Sequence, residues 1–516
     1  MLKNLKYTLF IIGSLLFFNN LYSQGWPRVY GDNIRAYVFD LREDYDKGYL
    51  IAGQIDRGNI PSQFALLIKT DINGNILWEK KYGDLSYHTA FSILEKTNDG
   101  GMIIAASTSK YNPVKFDPTF IKLDACGEIE WCTVLKSPDD NYGTGIIPLS
   151  DGCFVGMMKY YGGYSSNFRI SLVKLDVTGE PVWIQHLAQE DSTIYNEEGY
   201  FLSLTSDSNY LVSGRCFCPG LRPFWIMTDT TGNQIWDLKW GGGTGVAHQT
   251  LEDKYGNFYA AVSFIAQGVS AFTPSLFKFD NNGNPLYHNF ILGDTLVGGG
   301  VEPLCFYNDS TLIIGTQWRV VPYPVDEGYS EVFMIDTLGN IKKRRLLIEQ
   351  NRPPWNIIKS FDNKILVSGS YYIGGNWDIY LFKLNEELED DTLYSQTFTY
   401  DSLCPYQITS DTIDLNCNLF VDIEEIPLRN EVEKTFKIWP NPARAKLELE
   451  IGSWHPDEKK ILQIYDIFGR KVKEIKISKG QQQLSVDVSK WHNGLYVAVL
   501  KNDKKLIAKQ KFMVLR

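Results

Sequence analysis

The sequence is short of the groups from which most recognisable catalytic sites are assembled. Only six histidines occur in 516 residues: His88, His186, His248, His288, His455 and His492. None forms His-Glu-x-x-His, and none pairs with cysteines at zinc spacing. Cys216-Phe-Cys218 stands without a second Cys or His pair, so no metal is expected. The stretches "DINGN" and "DNNGN" lack the downstream Glu of an EF-hand. A glycine loop for phosphate and a Gly-x-Ser-x-Gly elbow are both missing, which excludes those signatures of nucleotide enzymes and hydrolases. No apolar run after residue 18 has spanning length, so the mature chain is expected to carry no transmembrane segment. Positive charge is scarce over most of the chain. The net charge is −10, yet Lys434–Arg516 holds 18 basic and 8 acidic side chains, leaving −20 on residues 1–433. So acidic a body argues against a nucleic-acid partner.

What is present points to strands and export. Aromatic residues make up 14% of the chain, and Val, Ile, Tyr, Phe and Trp dominate its apolar runs. Residues 1–23 pair Lys3 and Lys6 with a short apolar stretch and a small residue, Ser23, which predicts a secretory signal peptide. An exported chain meets oxidising conditions, so some of its eight cysteines are expected to be bridged. Cys404 and Cys417 share one polar segment and are the expected pair.

One hairpin recurs. "KTDINGNILW", "KLDACGEIEW", "KLDVTGEPVW", "MTDTTGNQIW" and "KFDNNGNPLY" are followed by looser copies at "MIDTLGNIKK" and "KLNEELEDDT". The aligned positions Asp71, Asp124, Asp176, Asp229, Asp280, Asp336 and Asn385 are separated by 53, 52, 53, 51, 56 and 49 residues. A period near 50 predicts a propeller or solenoid. Each period reads as four strands. The Asp opens a turn, the Gly takes φ > 0, and the Trp lies on the next strand to cover the adjoining sheet. Four-stranded sheets with two apolar faces need a neighbour on each, and a ring supplies both. The expected fold is therefore all-β: a seven-bladed β-propeller over residues 24–400, then a small immunoglobulin-like β-sandwich. "GWPRVYG", Gly25–Gly31, resembles the end of a repeat and could latch the ring, although repeat seven reads as having its own fourth strand near "LYSQTFTY". The repeats resemble those of quinoprotein-like β-propellers at "KLDVTGEPVW" and "MTDTTGNQIW". That resemblance supports the fold without implying the quinone, and no cofactor is expected.

Residues 401–433 read as a polar linker. Residues 434–516 read as alternating strands. They closely resemble the type A sorting domain of the type IX secretion system at Pro440-Asn441-Pro442, at Tyr465-Asp466-Ile467-Phe468-Gly469-Arg470 and at Gly494-Leu495-Tyr496. The ending "KFMVLR" departs from the usual Lys-rich tail. The resemblance implies a Bacteroidota source, Sec export, partnership with the type IX machinery, and release or display outside the outer membrane.

Ligands of propellers meet loops at one end of the channel. Here these are the loops between strands two and three, and those between blades. Tyr111, Tyr160, Tyr161, Tyr164, Trp318, Tyr323, Tyr371, Tyr372 and Trp377 fall there, and His88 and His248 are placed in comparable between-blade loops. Aromatic shelves suit sugar or peptide recognition. The expected function is non-catalytic binding of a carbohydrate or protein ligand. The alternative is an extracellular glycan-active hydrolase or lyase at the channel, with a quinone-dependent dehydrogenase third.

Overall fold

The computed structural model describes residues 25–421 and 436–515, apart from 32–34, 57–62, 113–114, 137–138, 162–167, 188–194, 219, 242, 266–271, 292–296, 321–327, 349–353, 374, 452–459, 467–470, 479–480, 482 and 503–505. The expected signal peptide, Tyr164, Tyr323 and Gly469 lie outside the described residues. The chain divides into two compact units, Met1–Ile426 and Pro427–Arg516. Each is all-β, and no helix among the described residues is long and apolar enough to cross a membrane.

Among the described residues the first unit holds seven sheets, each built on four antiparallel strands that come from one repeat except in the last sheet. Their first strands are Arg35–Glu43, Thr89–Lys96, Tyr142–Pro148, Tyr195–Leu204, Thr244–Glu252, Val297–Asn308 and Asn356–Lys359. Each sheet packs on the next, and the seventh packs on the first. Apolar clusters sit between the sheets. One joins Ile103, Phe120 and Leu135 to Ile146, Phe154 and Val173; another joins Leu366 and Leu381 to Val38, Ile51 and Leu66.

The recurring hairpin shows how neighbours lock. The Asp71 carboxylate accepts 2.8 Å bonds from the backbone N–H groups of Asn73 and Asn75. Asp176, Asp229, Asp280 and Asp336 repeat the arrangement, and so does the amide oxygen of Asn385. These acids are turn-formers, as the repeat implied. Each docking Trp then lies against the turn glycine of the following sheet. Trp183 is so close to Gly232 (φ +83°) that an added Cβ would stand 2.9 Å from its ring. Trp236 meets Gly283 in the same way, and its indole N–H donates to Asn281 O at 3.0 Å. The lysine two residues before the Asp also recurs. Lys69, Lys122 and Lys383 are buried, and each pairs with an acid of its own first turn: Asp46, Asp99 and Asp362.

The ring is closed from the amino terminus. Strand Arg28–Tyr30 pairs with Asn376–Leu384 and supplies the fourth strand of the seventh sheet. Trp26 lies against Gly74 of the first sheet, and the Tyr30 hydroxyl donates to Gly74 O at 2.9 Å. The anticipated fourth strand at "LYSQTFTY" does not form. Tyr394 N–H instead donates to Asn73 Oδ1 at 2.7 Å, and Ile72 N–H donates to the Tyr400 hydroxyl at 3.0 Å.

The pairing of Cys404 with Cys417 is corrected. Cys404 is bridged to Cys126 and Cys417 to Cys132, and a third bridge joins Cys216 to Cys218. Residues 401–421, read as the start of a linker, form a strap along the outer edges of the first two sheets. Asp411–Ile413 adds in parallel to Ile76–Tyr82, and Asn418–Val421 adds in parallel to Ile129–Lys136. Leu415 of the strap is fully buried, in a cluster with Tyr87 and Phe91. Unpaired edge N–H and C=O groups explain why a polar segment binds here: it completes their hydrogen bonds.

In the second unit a three-stranded and a four-stranded sheet enclose one core containing Ile438, Leu449, Ile464, Leu500 and Phe512. The Pro440-Asn441-Pro442 segment docks on the last strand. Met513 N–H donates to Asn441 Oδ1 at 2.8 Å, and Ala443 exchanges backbone bonds with Met513 and Leu515. The divergent "KFMVLR" ending thus carries a full strand, Leu506–Val514. Asp466 is in register with Tyr496, whose hydroxyl donates to His492 O at 2.9 Å. Tyr465 donates to Gln463 at 2.7 Å, and Gly494 begins the strand that carries Tyr496.

Candidate functional site

The first strands of six sheets break register at one equivalent place: Val38/Asp40, Phe91/Ile93, Gly143/Gly145, Gly199/Phe201, Ala247/Thr250 and Val301/Leu304. A bulge leaves an extra residue unpaired and re-aims its side chain. Phe39, Ser92, Thr144, Tyr200 and the pair His248 and Gln249 occupy the first five of these bulges, and all of them line one cavity of about 550 Å³. Trp355 precedes the seventh first strand and joins them. Phe116, Tyr142, Phe201, Lys159, Gln54 and Gln63 complete much of the wall. His248 is thus a strand residue, not the loop residue the sequence suggested. His88 does sit between sheets, just before Thr89–Lys96, with its Nδ1 buried and unpartnered.

Two charge clusters border the cavity. Asp40 is fully buried. It accepts from the backbone N–H of Leu41 (2.8 Å) and of Leu94 (2.8 Å), from Arg42 (2.5 Å) and from the Asn356 amide. Burial pushes its carboxyl up to about 6, against the pull of Arg42. Arg42 also reaches Glu95 at 2.7 Å. Across the cavity wall Glu198 accepts from Lys159 (2.8 Å), Arg215 (2.7 Å) and the Tyr200 hydroxyl (2.5 Å). Burial alone would raise Glu198. The bonds from Lys159 and Tyr200 and the charges of Lys159 and Arg215 outweigh it and hold the carboxyl below its ordinary value. Tyr200 stacks on His248 with centroids 5.7 Å apart. Burial first and Arg215 second pull His248 down to about 3, so it is a neutral imidazole at physiological pH.

This arrangement can hold a compact ligand against rings and polar groups. Phe39 and Trp355 meet edge to face at 5.8 Å, and Phe116 and Tyr142 lie 5.5 Å apart. In two of the lining residues a polar atom, Thr144 Oγ1 and Asn356 Oδ1, is buried without a hydrogen-bond partner. Among the described residues no three His, Cys, Asp or Glu side chains are grouped to hold a metal ion. Ser171 bonds His186 at 2.6 Å, but Ser275 bonds His288 at 2.8 Å on the matching strands of another sheet, and both serines are buried. The repetition marks these Ser–His pairs as cross-strand packing.

The aromatics chosen from sequence sit at the ends of their sheets where strands two and three meet. Tyr160 and Tyr161 end Phe154–Tyr161, Trp318 lies in Thr311–Val320, and Tyr371 and Tyr372 lie in Ile365–Ile373. Trp377 follows on the next strand, 5.4 Å from Tyr372 and 5.7 Å from Tyr37. Tyr160 stacks on His186 at 5.0 Å, and the Tyr111 hydroxyl accepts from Cys417 N–H at 3.0 Å, tying it to the strap. The cavity wall is built from other residues, although Gln54, Gln63, Phe116 and Lys159 lie at that same end of their sheets. The signal missed in the sequence is positional: Phe39, Ser92, Thr144, Tyr200, His248 and Trp355 each stand five residues before the residue that opens the first turn of their sheet.

Residues 437–515 match the family described as the secretion system C-terminal sorting domain. This type IX tail indicates export to the cell surface or extracellular space and interaction with the secretion machinery. No curated protein matches the chain. Among solved structures the chain is similar to a Dyadobacter fermentans protein of unknown function, at 10% identity over 58% of this chain and 96% of that one (TM-score 0.40). A Bacteroides caccae protein of unknown function matches at 10% identity over 51% and 85% (TM-score 0.34). A puromycin hydrolase matches at 11% over 71% and 54% (TM-score 0.45).

Proposed function

We propose that the chain is a secreted or surface-displayed seven-bladed β-propeller that binds a carbohydrate or protein ligand without transforming it. In this reading residues 1–23 are a signal peptide, residues 24–400 with the strap form the propeller, and residues 434–516 form an immunoglobulin-like sorting unit removed after export. The observation that carries it is the cavity ringed by bulge residues. Its wall carries seven Phe, Tyr and Trp rings, and its charged groups are already held by opposite charges, which suits holding a ligand better than moving protons. Purified mature protein on glycan and peptide arrays, scored for retention and cleavage, tests it. Retention without cleavage supports the reading; retention of nothing discards it.

One observation favours a second reading, a glycan hydrolase. Asp40 and Glu198 both line the cavity and their carboxyls are displaced in opposite directions, which would suit one as general acid and the other as the ionised partner. Cleavage of an arrayed glycan that vanishes in Asp40→Asn and in Glu198→Gln would establish it in place of simple binding.

A further inference from the structure

We propose that the channel cavity takes an uncharged, hydroxyl-rich ligand, a neutral sugar, through Asn356 and Thr144; this rests on the binding reading above. The four charged side chains of the lining sum to zero: Asp40 is paired with Arg42, and Glu198 with Lys159. Every one of these side chains has an opposite charge within 2.9 Å, so an ionic ligand would compete with a partner already in place. His248 adds no charge. The unmet hydrogen-bonding capacity is neutral: Asn356 Oδ1 can only accept, and the Thr144 hydroxyl can donate or accept. The Asn356 amide is fixed in orientation because its N–H already serves Asp40. A sugar hydroxyl meets both demands, giving its proton to Asn356 and taking or giving one at Thr144. A peptide with free termini would bring charges for which the described lining offers only groups already paired. The ring pairs Phe39–Trp355 and Phe116–Tyr142 supply apolar area for the C–H surface of a pyranose or furanose.

Titration calorimetry of the mature protein tests this with neutral oligosaccharides, uronic-acid oligosaccharides and short peptides, each at low and high salt. The expected result is heat with a neutral sugar and an affinity that changes less than about twofold with salt. Thr144→Val should weaken that binding roughly fivefold to tenfold, and Thr144→Ser, which keeps the hydroxyl, should stay close to the parent. Preference for an acidic sugar or a peptide, a steep salt dependence, or an unaffected Thr144→Val overturns the neutral-sugar inference while leaving a binding protein. Heat with none of the three classes removes the binding reading beneath it.

Discussion

Removal of the strap's two disulfides, singly and together, should produce strongly non-additive losses. Cys126–Cys404 and Cys132–Cys417 span 278 and 285 residues, but their ends are neighbours in pairs. In the chain-entropy view the first bridge to form closes a loop of nearly three hundred residues, worth about 5–6 kcal/mol. With either bridge in place the other closes only a loop of roughly 20 residues, worth about 3 kcal/mol. Cys126→Ala with Cys404→Ala should therefore cost about 3 kcal/mol, as should Cys132→Ala with Cys417→Ala, while the quadruple variant costs about 9 kcal/mol. A unit of roughly 400 residues unfolds with an entropy near 0.8 kcal/mol/K, so the expected falls in Tm are about 4 °C for each pair and about 11 °C for all four. Differential scanning calorimetry under oxidising conditions reads this directly. Were Cys404 bridged to Cys417 and Cys126 to Cys132 instead, both loops would be short and independent. Their losses would be about 2–3 kcal/mol each and would simply add to about 5 kcal/mol. Additive losses would refute the strap.

Three further outcomes follow from the same geometry. Trp26→Ala removes the latch contact with the first sheet and should cost about 3–5 kcal/mol, lowering the Tm of the whole unit as one transition; a shift under 1 °C, with Trp183→Ala giving the full loss, would show that the amino-terminal strand does not close the ring. Gly232→Ala forces a side chain into φ +83° and toward Trp183; denaturant titration should show a loss of about 2–3 kcal/mol, and a neutral effect would contradict the Trp-on-turn packing. His248 is held neutral in the fold with its pKa pulled down to about 3, whereas an unfolded chain takes up that proton near 6.5. Its contribution to stability is complete above the unfolded value and is lost as pH falls toward 3. His248→Gln should narrow the difference in stability between pH 7 and pH 5, and an unchanged difference in denaturant midpoints would count against burial of the imidazole.

Part of this molecule could be read directly from its letters. The turn chemistry of Asp71 and its equivalents is local: a carboxylate two and four residues before the N–H groups it accepts from needs nothing beyond the hairpin itself. The docking Trp was legible as a group that needs a neighbour, and the period of the repeat supplied one. The sorting unit was legible because its motifs lie in order at short separations. The cavity residues were not. Phe39, Thr144, Tyr200 and His248 differ in polarity and hydrogen bonding, so no motif joins them; what they have in common is a register position, and a bulge in each strand is what brings them together. The strap escaped notice for a related reason. Its polar composition resembles that of a free tether, and what it binds is the outer edge of two sheets that lie 331 and 285 residues earlier, counted from Asp411 to Lys80 and from Asn418 to Thr133.

By itself the sequence determined the repeating hairpin, the all-β character and the export tail, because each depends on interactions among residues close along the chain. Tertiary structure alone decided the strand that closes the ring, the partners of Cys126 and Cys132, and the company of Asp40 and Glu198. Those outcomes depend on which distant surfaces meet once every sheet has buried both apolar faces, and burial is indifferent to distance along the chain.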